Sequence, residues 1–249
     1  MRIIISPAKK MNVDTDSLAW RDLPQFLDNA QELLDTLRGM DEAALQTLWN
    51  CSDNLASLNI ERLREMDLRR NLTPAILSYE GIQYQYMAPN VFTSAQLDYV
   101  QEHLRILSGF YGVLRPFDGV TPYRLEMQAR LKTCKAKDLY SYWNKTIYNT
   151  ISSETDCIVN LASKEYSLCV SKYIEPSVRF VTCVFGEEKS GKIVEKGTMC
   201  KMARGEMVRF MAVNAVEKVE QLKEFRALGY AFDVSRSDNT TYVFVKECA

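Results

Sequence analysis

Between Leu107 and Met127 the chain reads LSGFYGVLRPFDGVTPYRLEM, with three glycines, two prolines and two tyrosines in 21 residues. Glycine admits positive φ and close backbone approach, while proline fixes φ and gives up a donor, so this run can take very few shapes. Arg115, Asp118, Arg124 and Glu126 lie within it. Such restriction serves either packing or a ligand, because an ordinary connection has no need of it.

The 249 residues, 47% hydrophobic and 25% charged, suffice for one large domain and exclude a disordered chain. Met1 leads directly into RIIIS, and no apolar run has the length of a signal peptide or a bilayer span. A cytoplasmic protein with no membrane partner is expected. The seven cysteines (Cys51, Cys134, Cys157, Cys169, Cys183, Cys200, Cys248) show no C-x-x-C spacing and read as reduced thiols. His103 is the single histidine, which excludes a histidine metal cluster, and a packed or surface imidazole rather than a catalytic one is expected of it. No metal and no cofactor are expected.

A net charge of -1 hides an uneven distribution. Met11 to Thr47 holds eight acids against two bases, whereas Glu102 to Lys145 holds eight bases against four acids. Lys189 to Arg209 adds six bases against two acids. If the two basic stretches share a face, they steer an anion to it.

Periodicity predicts the elements. Arg2 to Ile5 reads as a buried strand; Phe26 to Leu37 follows one helical face and stops at Gly39. Asp41 caps a second helix, Ser52 to Met66 makes a third, and Ala75 to Tyr79 reads as a strand. Ser94 starts a helix whose face is Leu97, Val100, Leu104 and Leu107, and Asp138 starts another that runs to about Ile151. Cys157 to Leu161 is a strand. Val178 to Gly186 and Lys192 to Cys200 form a hairpin, Lys201 to Val216 a helix, and Tyr230 to Val234 with Thr240 to Lys246 a closing hairpin. The expected fold is one α+β (mixed α/β) domain spanning 1–249, a mixed sheet surrounded by helices.

Five segments carry a resemblance: SPAK at Ser6 to Lys9, the Leu107 to Met127 run, KDLYSYW at Lys137 to Trp143, NLASKEY at Asn160 to Tyr166 and KMARGEMVRF at Lys201 to Phe210. In order and type they resemble the YaaA family of bacterial peroxide-stress resistance proteins, although Lys10 stands where many members have threonine. The resemblance implies a single-domain α/β protein that binds DNA, limits iron-dependent oxidative damage and carries a helix-hairpin-helix element. A helix ending at Leu107 followed by the turn Ser108, Gly109, Phe110, Tyr111, Gly112 would aim backbone N–H groups at a phosphate. Arg105 and Arg115 flank it. These residues, with double-stranded or structured DNA as partner, form the expected nucleic-acid site, reading backbone rather than bases. The turn departs from the usual hairpin, having two residues rather than one between its glycines.

A second constellation follows from strand ends. Ser6 and Lys9 follow one strand, and Asn160, Ser163 and Tyr166 accompany another; if the strands are neighbours, these groups converge where α/β sheets bind ligands. Lys201 and Arg204 share a helix face, and Tyr123 and Arg124 belong to the Leu107 run. Together they would suit an anionic small molecule such as a phosphate, carboxylate or nucleotide. A Ser6/Lys9 nucleophile and base is one form this site could take. A groove joining Arg115, Arg124, Lys201 and Arg204 would unite both constellations.

Overall fold

Three consecutive isoleucines make Arg2–Ile5 (β1) one of the most apolar strands of the chain, and the computed structural model, which describes residues 1–246, places it near the middle of a mixed sheet. Lys10–Met11 (β2) follows. Leu27–Arg38 (α1), Glu42–Trp49 (α2) and Asp53–Glu65 (α3) come next. Asp41 accepts the Ala44 N–H, as its capping position predicts. Thr73–Pro74 (β3), Ala75–Ser78 (α4), Tyr79–Glu80 (β4) and Ile82–Met87 (α5) replace the single strand expected over Ala75 to Tyr79.

Ser94–His103 (α6) opens on a reciprocal cap between Thr93 and Gln96. It ends four residues short of Leu107, because Leu104–Ser108 is a strand (β5) paired in parallel with β1. Leu97, Val100, Leu104 and Leu107 imitate a helical stripe across what is a helix-to-strand junction. A strand covered on both faces shows a continuous apolar run and no alternation, so spacing alone does not separate it from helix. Gly112–Leu114 (β6) then pairs antiparallel with β5, with Ser108 opposite Gly112. The segment expected to be a helix-hairpin-helix is thus a β-hairpin.

Gly119–Val120 (β7) pairs with β3. Leu139–Trp143 (α7) and Thr146–Ser152 (α8) divide the helix expected from Asp138, with Asn144 at φ +42 between them. Cys157–Leu161 (β8), Lys164–Ser171 (α9), Arg179–Lys189 (β9) and Lys192–Val194 (β10) follow, and Gly197–Val213 (α10) takes over residues expected in the second strand of that hairpin. Tyr230–Phe232 (β11) and Thr241–Lys246 (β12) close the chain as an antiparallel pair. Cys248 lies outside the described residues.

The main sheet runs β11-β12-β9-β8-β1-β5-β6, with β10 added to β9. Strands β12, β9, β8, β1 and β5 are mutually parallel, and the antiparallel β11 and β6 form the two ends. Ile4 stands beside Arg105 on one side and Asn160 on the other. The C-terminal ends of β1, β8 and β5, hence Ser6, Ala162-Ser163 and the Ser108 turn, therefore lie along one edge.

Candidate ligand cleft at the C-terminal edge of the sheet

β1 and β8 are hydrogen-bonded neighbours, so the residues that leave them meet. Ser6 Oγ accepts the Ser163 N–H at 2.8 Å and donates to Ser163 Oγ at 3.1 Å. The Tyr84 hydroxyl, from α5, donates to the Ser6 carbonyl at 3.0 Å. These bonds tie both strand exits to α5. The resulting cleft, about 430 Å³, is lined by Ser6, Lys9, Tyr123, Arg124, Ser163, Tyr166, Lys201 and Arg204, eight of the nine residues expected there. Asn160 lies below it. Its amide donates to Thr182 Oγ1 and its carbonyl accepts the Ala162 N–H, so it braces β8 against β9 and shapes the turn.

α10 delivers two of the cations. Gly205 follows Arg204 and has no side chain because α5 passes directly over it: a Cβ there would collide with the Gln83 carbonyl oxygen and stand 2.9 Å from the Met87 nitrogen. That close approach sets Lys201 and Arg204 against Gln83 and Tyr84. Lys201 is exposed. Arg204 is largely covered, with Glu195 at 3.9 Å as its acidic neighbour.

The extended stretch Tyr123 to Met127 forms the opposite wall. Arg124 Nη2 lies 3.5 Å from Glu126 Oε1, and Lys9 Nζ lies 2.9 Å from Glu126 Oε2. Lys9 is thus paired with an acid rather than with Ser6, and 64% of its side chain is exposed. A desolvated lysine base is not formed. Glu165, at the start of α9, also faces the cleft. Burial pushes its carboxyl up from the ordinary value; the Gln128 amide pulls it back, and the neighbouring Glu126 charge adds to the rise. Burial likewise raises the Tyr166 and Tyr123 phenols, which stay neutral donors.

Five buried side-chain atoms among the described residues have no hydrogen-bond partner: Trp49 Nε1, Gln83 Nε2, Arg124 Nε, Glu126 Oε1 and Arg204 Nε. Four of them belong to residues of this cleft, and Trp49 lines the hollow that adjoins it. Folded proteins leave few such atoms, and each needs a reason.

The residues expected to hold DNA are placed otherwise. Ser108, Phe110 and Tyr111 have no exposed surface. The amides of Phe110 and Tyr111, which a phosphate would need, donate to Ser108 Oγ at 3.2 and 2.9 Å. Ser108 Oγ lies 2.6 Å from the Tyr123 hydroxyl, itself 2.8 Å from that of Tyr79. The Gly109 carbonyl accepts the Trp143 indole N–H at 2.9 Å, and Gly112, at φ +76, packs on the same ring. Arg105 is buried, donating to the carbonyls of Gln101, Glu102 and Leu104 and to Glu154 at 2.6 Å. Arg115 stands near that cluster, 3.5 Å from Glu154, across a separate hollow of about 610 Å³. The turn is a packing device, and Arg115 does not join Arg124, Lys201 and Arg204.

The acidic and basic stretches also meet, through Glu32 and Lys135 at 2.6 Å, which cancels part of the expected asymmetry. Among the described residues no group of three or more His, Cys, Asp or Glu could hold a metal ion, and no helix is long and apolar enough to cross a membrane. Cys169 and Cys183 are buried, with thiols pushed up to about 12, the opposite of what a thiolate nucleophile needs.

A family profile described as "Peroxide stress protein YaaA" matches residues 1–236. The chain belongs to the YaaA family. Relatives named UPF0246 span the whole length: one of Agathobacter rectalis is 52% identical over all of both chains. One of Lachnoclostridium phytofermentans is 53% identical over 99% of this chain and 96% of its own. Another, of Desulfitobacterium hafniense, is 53% identical over 100% of this chain and 99% of its own. Peroxide stress is the context that the family's description gives, and the cleft lies within the matched residues.

Sequence reading missed Glu165, Tyr84 and Gln83 as cleft residues. Glu165 lies within NLASKEY, but an acid does not stand out among groups expected to hold an anion. Tyr84 and Gln83 sit on α5, six residues too short to show periodicity.

Proposed function

We propose that the cleft binds an anionic, nucleotide-like small molecule, and that this binding is the chain's part in the peroxide-stress response. The concentration of unpartnered buried atoms in one place carries the reading. Two guanidinium groups with vacant Nε donors and a buried carboxylate oxygen cost stability as they stand, and a ligand that accepts from the arginines and donates to Glu126 offsets that cost. Exposed Lys9, Lys10 and Lys201 at the mouth attract the anion, while Tyr84, Tyr123 and Tyr166 give apolar ring faces with neutral hydroxyls. The test is calorimetric and thermal-shift titration with inorganic phosphate, pyrophosphate and nucleotides, on the wild type and on Arg124→Ala and Arg204→Ala. Stabilisation that both variants lose supports the reading; wild-type and variant curves that coincide overturn it.

A second reading keeps DNA as the partner, as the resemblance implies, but at the cleft mouth. Lys201 is exposed and makes no ion pair among the described residues, and Lys9 and Lys10 project beside it. Restricting iron and peroxide access to DNA would then be a consequence of occupying the duplex. Affinity for duplex DNA should fall with salt at a log–log slope of roughly -0.9 for each phosphate neutralised, and Lys201→Ala should reduce that slope by about 1. No measurable duplex binding at low salt removes this reading.

A further inference from the structure

A larger hollow of about 820 Å³ adjoins the cleft, and the two share Lys9 and Glu126. The shared wall is an ion pair between a lysine that is 64% exposed and a Glu126 side chain that is 17% exposed. The lysine end is free to swing, and the wall opens when a ligand gives Lys9 a new anion and Glu126 a donor in its place. The outer hollow differs in chemistry from the inner one. Met40, Leu48, Trp49 and Ala129 give it an apolar lining, and Asn50 and Gln128 place exposed amides at its rim. Arg130, also at the rim, makes no ion pair among the described residues. The one unpartnered buried atom outside the inner cleft, Trp49 Nε1, belongs to this lining. The two hollows thus hold all five such atoms between them, as parts of one site would.

Building on the anion reading above, we infer that the ligand is a head-and-body molecule of the nucleoside phosphate class. Its phosphates lie on Arg124 and Arg204, its middle passes Lys9, and its planar heteroaromatic base occupies the outer hollow. The apolar side chains cover the faces of the base, and the rim amides of Asn50 and Gln128 meet its polar edge. Lys9 moves from Glu126 to the phosphates or the sugar as the ligand spans the wall.

The full-length chain is titrated by calorimetry with pyrophosphate, as head alone, and with ADP, as head and body. ADP should bind about ten-fold tighter or better. Ala44→Trp, which fills the outer hollow from α2, should bring ADP to within about two-fold of pyrophosphate while leaving pyrophosphate unchanged. Thr47→Trp, at an exposed lining position, serves the same purpose if Ala44→Trp fails to fold. ADP and not pyrophosphate should alter tryptophan emission, and Trp49→Phe should abolish that change although Trp20 and Trp143 remain. Equal affinity of the wild type for both probes, an ADP advantage that survives both blocking variants, or an emission change that survives Trp49→Phe overturns the inference. Retained, Arg124-dependent pyrophosphate binding in those cases leaves the anion site standing; loss of that dependence removes both.

Discussion

Gly109 lies so close beneath Leu125 that a Cβ added to the glycine would stand 2.5 Å from the leucine carbonyl oxygen. The hairpin between β5 and β6 is therefore the floor on which the Arg124 and Glu126 wall rests. Gly109→Ala should cost about 1–3 kcal/mol in chemical denaturation, the range for forcing a methyl group into a packed site. It should also weaken anion binding, because the wall must rise to make room. A variant that is destabilised yet binds pyrophosphate as the wild type does would show that the wall does not depend on this contact.

Both arginines of the cleft should act through affinity. Charge-assisted hydrogen bonds contribute about 1.5–3 kcal/mol, so Arg124→Ala or Arg204→Ala should raise the dissociation constant for pyrophosphate roughly ten- to hundred-fold. Thermal stability without ligand should hold or rise for Arg204→Ala, which removes a covered cation with an unpartnered Nε, and should fall for Arg124→Ala, which takes a partner from the covered Glu126.

Gly205 gives a test of the α5–α10 contact. Gly205→Ala should force α10 away from the Gln83 carbonyl, shifting Lys201 and Arg204 together. Its effect on binding should exceed that of Lys201→Ala, which removes one exposed charge.

Asp118 sets a pH dependence. Burial pushes its carboxyl up to about 7, with the Arg115 amide and charge opposing, against 3.8 for the free side chain. The folded chain thus holds a proton that the unfolded chain has lost between those two values. The sign follows: stability from this group is complete below pH 3.8 and disappears as pH rises through about 7. Asp118→Asn keeps an oxygen for the Arg115 N–H, which Asp118 Oδ2 accepts at 2.8 Å, and cannot ionise. Its stability relative to the wild type should climb from pH 4 to 7 and level off above, by at most roughly 4 kcal/mol. A difference that is flat with pH would contradict this.

Arg105 should matter to folding alone. Burial disfavours charge on Glu154, but its bonds to Arg2 and Arg105 win and hold the carboxyl below its ordinary value. Glu154→Gln leaves the buried Arg105 guanidinium uncompensated and should cost about 3–5 kcal/mol, with pyrophosphate affinity unchanged in the folded fraction.

The cleft was legible where chemistry sits at strand ends. Ser6 and Ser163 each follow a run that is short, apolar and rich in β-branched residues, which favours an interior strand over a helix; their adjacency then depends on one pairing, β1 with β8. The Leu107 run was readable as rigid but not as buried. Its amides look free in sequence, and it takes the folded chain to show that Ser108, two and three residues back, already accepts them. Arg115 illustrates the limit. It is nine residues from Arg124, but β7 intervenes and the two guanidinium groups go to different hollows, a separation that no local pattern encodes.

Ser108 also fixes a direction. With both lone pairs of its oxygen engaged by backbone amides, its single proton can go only to Tyr123. Tyr123 accepts there, and its 2.8 Å contact with the Tyr79 hydroxyl can run in either direction. The Ser108 end of this chain of hydroxyls is thus written by the peptide backbone and does not change with whatever enters the cleft. Tyr123 therefore meets a ligand with one lone pair already committed, and the ligand must fit what is left.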